Sequence, residues 1–409
     1  MNPDSKSVPG PITLAEFRQA ADVVQDIVIR TPVIFSPTLS RLFDADIYLK
    51  LENLQKTGSF KIRGAAYTLL TRREYIGPSG VVTASAGNHA QGVALAASMA
   101  GVPSTIIMPV WASLSKQEAT RNYGGNVILS GSDMRESLAA AREIAETGPR
   151  FIPPFDDRDI VIGQGTIGLE IGDSLPEVDM VLVPVGGGGL ISGIAGAIHQ
   201  LRPKTRVIGV QAQACPSAVE AIRKGSPFPV NSTPTLADGI HVRQVGEIPF
   251  SIIRKEVEEI VLVEEAAISR AMLLLLERKK ILAEGAGAIP LAALMEKQVR
   301  IPPKSRVVLV ISGGNVDSPL LGRIIQQGLH RNGRIMRIRV LLADTPGSLA
   351  RLLDHIASLQ ANVLNIFHDR FQGDRPIHTT VVSLELETRG PSHIREIESA
   401  IDAAGYVLE

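Results

Sequence analysis

Continuous apolar runs rich in valine and isoleucine recur along the chain and alternate with stretches of helical character. "GVVTAS" (80–85) precedes "AQGVALAASMAG", "STIIMPV" (104–110) precedes "SLSKQEATRNYGG", and "NVILSG" (126–131) precedes "RESLAAAREIAE". "MVLVPV" (180–185), "RVIGVQ" (206–211) and "RVVLVIS" (306–312) continue the series. A strand that is apolar at every position, not at every second one, is covered on both faces. Helices between such strands are the crossovers of a parallel sheet. The pattern predicts an α/β fold.

After residue 330 the texture changes. A strand over 335–343, a turn at Asp344-Thr345-Pro346-Gly347 and an amphipathic helix are followed by alternating strands around "QGDRP" (372–376). A second helix after Pro391 and a short closing strand complete a βαββαβ unit, a module of its own over 335–409. The polar "QQGLHRNGR" (326–334) reads as the linker that joins it to a catalytic region over 1–325.

Composition narrows the function classes. Lys plus Arg equals Asp plus Glu, 42 each, so no basic face for nucleic acid is expected. The single cysteine, Cys215, excludes an intramolecular disulfide and suits a reducing compartment. "MNPDSKSVPG" at the start lacks an apolar signal core. The uncharged run 180–198 reaches membrane-spanning length, but a proline and four successive glycines at its centre would ruin a spanning helix, so it reads as strand, turn and helix. The expectation is a cytoplasmic protein without a membrane partner. From Tyr75 to Ser115 there is no Asp, Glu, Lys or Arg, which predicts a covered segment or one facing a cleft.

The most informative stretch is "DMVLVPVGGGGLISGIAGAIHQ", in which a strand ends at Val185, four glycines follow and an apolar helix starts near Leu190. Glycines at a helix N-terminus let backbone N–H groups close around a phosphate, whose charge the helix dipole favours. A dinucleotide fingerprint would need a third glycine or alanine where Ser192 stands and an acidic residue where Gln211 stands. No Gly-x-x-x-x-Gly-Lys-Ser/Thr occurs either, which leaves a small phosphate monoester. "TASAGNHAQG" (83–92) places Ser85, Gly87, Asn88 and His89 at a helix start, an arrangement suited to a carboxylate, although Ser85 alone is equally a helix cap. "VLVISGGNVD" (308–317) puts Ser312 at the carboxyl end of a strand, where α/β sheets hold ligands. The eight histidines lack metal spacing, His199 reads as structural, and "PFDDRD" (154–159) reads as a solvated acidic loop. Lys61 in "KTGSFKIRG" (56–64) stands between Phe60 and Ile62. On this stretch alone it reads as a solvated surface charge, and the other reading is an amine in an apolar pocket that desolvation makes a nucleophile.

These stretches resemble the serine/threonine dehydratases, pyridoxal-phosphate enzymes of the tryptophan-synthase-β-like fold (fold type II). "KLENLQKTGSFKIRGA", "ASAGNHAQG", "GQGTIGLEI", "VPVGGGGLISG", "TLADGI" and "SGGN" occur in the family's order over residues 12 to 325. The resemblance implies two parallel-sheet lobes, the smaller (about residues 55–157) inserted into the larger, with pyridoxal 5'-phosphate between them. It implies that Lys61 binds the cofactor covalently and moves the Cα proton, and that Phe60 packs near its ring. Asn88 meets the phenolic oxygen, Gly186, Gly187, Gly188, Gly189 and Leu190 hold the phosphate, and Ser312 faces the pyridine nitrogen. Ser85, Gly87 and His89 bind the substrate carboxylate. The activity implied is L-threonine ammonia-lyase, releasing 2-oxobutanoate and ammonia, with L-serine as a second substrate. Rival readings are a dehydratase of another hydroxy amino acid, a serine racemase, and a non-catalytic amino-acid sensor.

Two departures bear on the racemase. Those enzymes carry a second serine after the one matching Ser85, and here it is Ala86. Their divalent-cation site falls at Gln211 and Pro216 here, so no metal is expected. The tail, with "DTPGSLARLL", resembles an ACT domain, a regulatory module that implies an amino-acid effector near Asp344, Pro346, Gly347 and Leu349 and a homo-oligomer, dimer or tetramer.

Overall fold

The computed structural model describes residues 10–369 and 377–409. The chain forms two compact units that divide between Asp317 and Ser318. In the first, β1 (Val33–Phe35) and β2 (Asp46–Leu51) open a large sheet. The chain then leaves to build a smaller one from β3 (Val81–Ala84), β4 (Ser104–Met108), β5 (Asn126–Leu129) and β6 (Arg150–Phe151). It returns with β7 (Met180–Pro184), β8 (Arg206–Ala212), β9 (Glu259–Val263) and β10 (Arg306–Ile311). The large sheet runs β1-β2-β10-β7-β8-β9 and the small one β5-β4-β3-β6. All neighbours are parallel except β1 and β2. β3, β7 and β10 are buried throughout or nearly so, as unbroken apolar strands require. The α/β class, the parallel lobes and the separate C-terminal sheet follow the sequence reading.

Beneath the helix Lys61–Thr71 lies a cluster of four buried charges that the sequence did not announce. The Arg63 guanidinium, fully buried, donates to both oxygens of Glu52 and both of Glu170 at 2.7–3.0 Å. Lys50, also fully buried, donates to Glu170 and, at 2.7 Å, to the Thr31 carbonyl. Burial opposes ionisation of Glu52, but the charges of Arg63 and Lys50 overcome it and hold its carboxyl below the usual range. The cluster ties β2, the Lys61 helix and the helix Arg158–Ser174 together.

Two readings of loops need correction. The "PFDDRD" segment is not a solvated acidic loop. Asp157 caps the helix Arg158–Ser174 and pairs with Arg72 at 2.8 Å, Asp159 pairs with the same arginine at 2.6 Å, and Asp156 accepts from the Ile248 N–H. The 326–334 stretch is not an open linker, because the helix Ser318–Arg331 runs through most of it. The charge-free interval is buried along β3 and the helix Asn88–Ala100, but its last part is open, with Val110, Trp111 and Leu114 exposed. No helix among the described residues is long and apolar enough to cross a membrane.

The second unit carries β11 (Ile335–Ala343), β12 (Asn362–Asp369), β13 (Thr379–Glu387) and β14 (Val407–Leu408) in the antiparallel order β12-β13-β11-β14. The helices Ser348–Ser358 and Pro391–Ala403 bury Leu352, Ile356, Ile397 and Ile401 against that sheet. The expected turn at "QGDRP" lies outside the described residues.

Candidate active site

Parallel strands bring their carboxyl ends to one edge, and the crevice beyond that edge is where such sheets hold ligands. Here β10 pairs with β7 in the register Leu309 with Leu182, so Ile311 stands level with Pro184. Ser312 and the four glycines therefore leave the sheet side by side. With Phe60, Lys61, Asn88, Gly186, Gly187, Gly188, Gly189 and Leu190 they line a cleft of about 540 Å³ that is open in part to solvent. Nine of the residues singled out in the sequence thus converge on one cavity.

Lys61 begins its helix, and the segment before it is stitched to the end of β10. Ser59 bridges Gly313, and the Phe60 N–H donates to the Ser312 carbonyl at 3.1 Å. The Lys61 Nζ donates to the Pro154 carbonyl at 3.0 Å and lies 5.2 Å from the centre of the Phe60 ring. Desolvation by burial pushes the amine down to about 8, with the Glu284 carboxyl acting in the opposite direction. An amine so placed is neutral often enough near neutral pH to attack a carbonyl carbon.

The glycine loop forms an anion cradle. Gly188 is the N-cap of the helix Gly189–Leu201 at φ +93°, a left-handed conformation that glycine adopts without strain, and no side chain caps the helix. The first N–H groups of a helix have no intrahelical acceptor, so this uncapped end presents them to the cleft. A Cβ at Gly187 would stand 2.2 Å from the Phe155 ring, so only glycine fits between that ring and the cavity.

Asn88 is held from both sides. Its amide donates to Glu284 Oε1 at 2.8 Å and accepts from Asn315 Nδ2 at 2.8 Å. Burial, then the neighbouring Asp238, push the Glu284 carboxyl up to about 8 against the Asn88 hydrogen bond and the charges of Lys116 and Lys61. Asn315, Phe155 and Gln164 lie in stretches quoted from the sequence but receive no role there, and Glu284 escapes that reading altogether. Glu284 stands between "ILA" and "GAGA", a setting that points to no particular chemistry, and only the three-dimensional contact with Asn88 identifies it.

The substrate loop is only partly as expected. Ser85 Oγ accepts from the Gly87 N–H at 3.2 Å, and residues 85–88 are half-buried. Ser85, Gly87 and His89 do not line the cleft itself. The His89 ring points into the lobe: it is 3 % exposed and bonds the Ile152 carbonyl at 3.2 Å. Burial and the Lys61 charge push its imidazole down to about 3, so it is neutral. The expectation that its side chain grips a carboxylate is corrected accordingly; its backbone N–H, in the first turn of the helix Asn88–Ala100, is what it can offer.

His199 is held by Glu256 and the Thr205 carbonyl, both at 2.8 Å. The Gln211 amide oxygen accepts from the Ala218 and Val219 N–H groups. In the second unit Asp344, Pro346 and Gly347 share the turn between β11 and the helix Ser348–Ser358, with Gly347 as N-cap at φ +88°, and Leu349, in the first turn of that helix, packs on the core.

Three comparisons bear on this geometry. A family model described as pyridoxal-phosphate dependent enzyme matches residues 24–313. The L-threonine ammonia-lyase of Thermotoga maritima is 48% identical over 97% of this chain and 98% of its own length. Among solved structures, the processed form of threonine deaminase isoform 2 from Solanum lycopersicum superposes with a TM-score of 0.71 at 35% identity, covering 78% of this chain and 90% of that one. Maize serine racemase gives 0.73 at 32% identity, covering 78% and 98%. The cleft fits the cofactor on its own merits, because an uncapped, glycine-lined helix end suits a phosphate and a desolvated amine suits an aldehyde. This chain belongs to the family of pyridoxal-phosphate dependent enzymes.

Proposed function

We propose that this protein is an L-threonine ammonia-lyase, which converts L-threonine to 2-oxobutanoate and ammonia by β-elimination and L-serine to pyruvate. The observation that carries the reading is the likeness to the Thermotoga maritima enzyme along almost the whole of both chains, the second unit included. When bound, pyridoxal phosphate supplies an electron sink for the pair left at Cα when its proton departs. The N–H groups of Gly186, Gly187, Gly188, Gly189 and Leu190 would hold the phosphate, Asn88 would donate to the ring oxygen, Phe60 would pack near the ring, and Lys61 would hold the aldehyde carbon.

Lys61 also removes the Cα proton, a task suited to an amine already pushed down to about 8. Ser312, which lines the cleft, would face the pyridine nitrogen with a hydroxyl. A hydroxyl, unlike a carboxylate, would not keep that nitrogen protonated, so the bound group would be a weak electron sink, which favours loss of the β-hydroxyl as water, the proton removed at Cα balancing the one the leaving oxygen gains. That choice favours elimination over transamination. The loop of Ser85, Gly87, Asn88 and His89, which stands beside the cleft, would take the substrate carboxylate, with the Gly87 N–H exchanging Ser85 Oγ for the substrate. Ala86 has no proton to give to the opposite face of Cα, which separates this chain from a racemase despite the shared fold.

The second unit is read as an ACT-like module that takes an amino-acid effector at the Asp344–Leu349 turn, in a cytoplasmic homo-oligomer. Coupled assay of 2-oxo acid release from L-threonine and L-serine tests the activity, with chiral analysis of unreacted serine and branched-chain amino acids added as effectors. Dominant racemisation, or no 2-oxo acid from either substrate with cofactor-saturated protein, refutes the reading.

A further inference from the structure

The Asn88 carboxamide is the end of a chain of hydrogen bonds whose polarity is fixed by one group that can only accept. The Thr57 carbonyl takes a hydrogen bond from Asn315 Nδ2 at 2.8 Å, which orients the Asn315 amide with its nitrogen inward. That nitrogen also reaches Asn88 Oδ1 at 2.8 Å and Gln91 Oε1 at 3.2 Å. The Asn88 oxygen is thereby committed to Asn315, and its nitrogen is turned to Glu284 Oε1 at 2.8 Å. One N–H of that nitrogen remains for the cavity that Asn88 lines. Glu284 itself is 4 % exposed, and its backbone N–H is bonded to the Gly313 carbonyl at 3.1 Å, so its position is fixed from both ends.

We propose that Glu284 is a positioning residue of the reaction: its buried carboxyl, with Asn315 opposite, locks the Asn88 amide so that a single N–H is aimed at the cofactor's ring oxygen. The inference rests on the ammonia-lyase reading above. A carboxamide gripped only at its oxygen could swing about its side-chain bonds and offer the cofactor a poorer bond. The acceptor at Glu284 removes that freedom. A hydrogen bond given to the ring oxygen favours its anionic form, so the proton affinity of the bound cofactor reports on the lock. The groups acting on Glu284 are, in falling order, Asp238, the Asn88 hydrogen bond, Lys116 and Lys61. Burial together with Asp238 keeps it a neutral acid through neutral pH, so glutamine mimics its working form.

The test uses the full chain loaded with pyridoxal phosphate and reads the absorbance of the bound cofactor across pH, beside threonine turnover. Glu284→Ala is expected to move the absorbance midpoint up by about one pH unit and to lower kcat about tenfold, with KM for threonine changed by less than about threefold. Asn315→Ala, which loosens the other end, is expected to move the midpoint in the same direction. Glu284→Gln, which keeps a neutral oxygen acceptor, is expected to restore both readouts to within about threefold of the parent. An unchanged midpoint in folded Glu284→Ala and Asn315→Ala overturns the inference and leaves the function intact. Equal damage from Gln and Ala also overturns it, because the carboxyl proton itself would then be in use. If the parent protein binds no cofactor, the functional reading and the inference fall together.

Discussion

Replacing Arg63 by methionine tests whether the buried charge cluster holds the catalytic helix in place. The guanidinium makes six contacts within hydrogen-bond range, at 2.7–3.1 Å, to Glu52, Glu170, the Thr166 hydroxyl and the Ile29 carbonyl. With Lys50 it balances the two carboxylates, so Arg63→Met leaves two buried anions facing one ammonium. Breaking a buried pair from one side costs about 3–5 kcal/mol, mainly because a charge is stranded without solvent. Against a total stability of about 5–15 kcal/mol, that is a fifth or more.

Urea unfolding of the cofactor-free protein measures the loss. Its pH dependence has a definite sign. Glu52 is held below the usual carboxylate range, so its contribution is present above the ordinary pKa near 4.5 and is lost as pH falls through the lower folded value. In the variant that support is gone and Glu52 takes up a proton more readily. The deficit is therefore largest at pH 7 and narrows as pH approaches 5. The double variant Arg63→Met, Glu170→Gln restores charge balance and is expected to recover about half the loss or more. A single-variant loss under about 1 kcal/mol at pH 7, or a deficit that does not narrow in acid, refutes the reasoning.

With Lys61 pushed down to about 8, about one amine in ten is neutral at pH 7, against about one in three thousand for an ordinary lysine. The association rate of pyridoxal phosphate with cofactor-free protein should accordingly rise with pH through a midpoint near 8, and a midpoint near 10 rejects the desolvated pocket. Ser312→Asp, which would protonate the pyridine nitrogen, should cut threonine elimination about tenfold or more and raise the share of turnovers ending in transamination, read as loss of active cofactor. Unchanged partition removes the hydroxyl argument. Ala86→Ser should introduce slow racemisation of L-serine detectable by chiral chromatography; strong racemisation already present in the parent protein contradicts the role given to Ala86.

The parts of the molecule that the sequence made legible share a physical property: their pattern is local. β3, β7 and β10 could be read because strands covered on both faces are apolar at successive positions. The glycine loop could be read because a phosphate cradle needs backbone without side chains at consecutive residues. The helix Ser318–Arg331 was missed where polar content was weighed over period: Leu321, Ile324, Ile325 and Gly328 recur at helical spacing across the supposed linker boundary, and Ile324 is buried. The acidic stretch at 154–159 was misjudged because its partners, Arg72 and the Ile248 N–H, lie far away in the chain.

Glu284 and Arg63 share that obstacle, and the consequence goes further than a missed residue. Both are charged side chains in otherwise apolar surroundings, and from sequence alone each reads as a solvated surface group. Burying them has an energetic cost that local sequence does not reveal, since Glu170 for Arg63 and Asn88 for Glu284 lie over a hundred positions away, and nothing local marks the nearer Glu52 as buried with Arg63. The two clusters behave differently because of how they are balanced. Around Arg63 two cations meet two anions and Glu52 stays ionised, which makes a rigid anchor for the helix that begins at Lys61. Around Glu284 the nearest acid, Asp238, adds to the penalty of burial, and the carboxyl gives up its charge to become a fixed acceptor for Asn88. One site orients the amine through a salt-bridged frame and the other orients an amide through a neutral hydrogen bond. Only the second should therefore tolerate an uncharged isostere without a compensating change elsewhere.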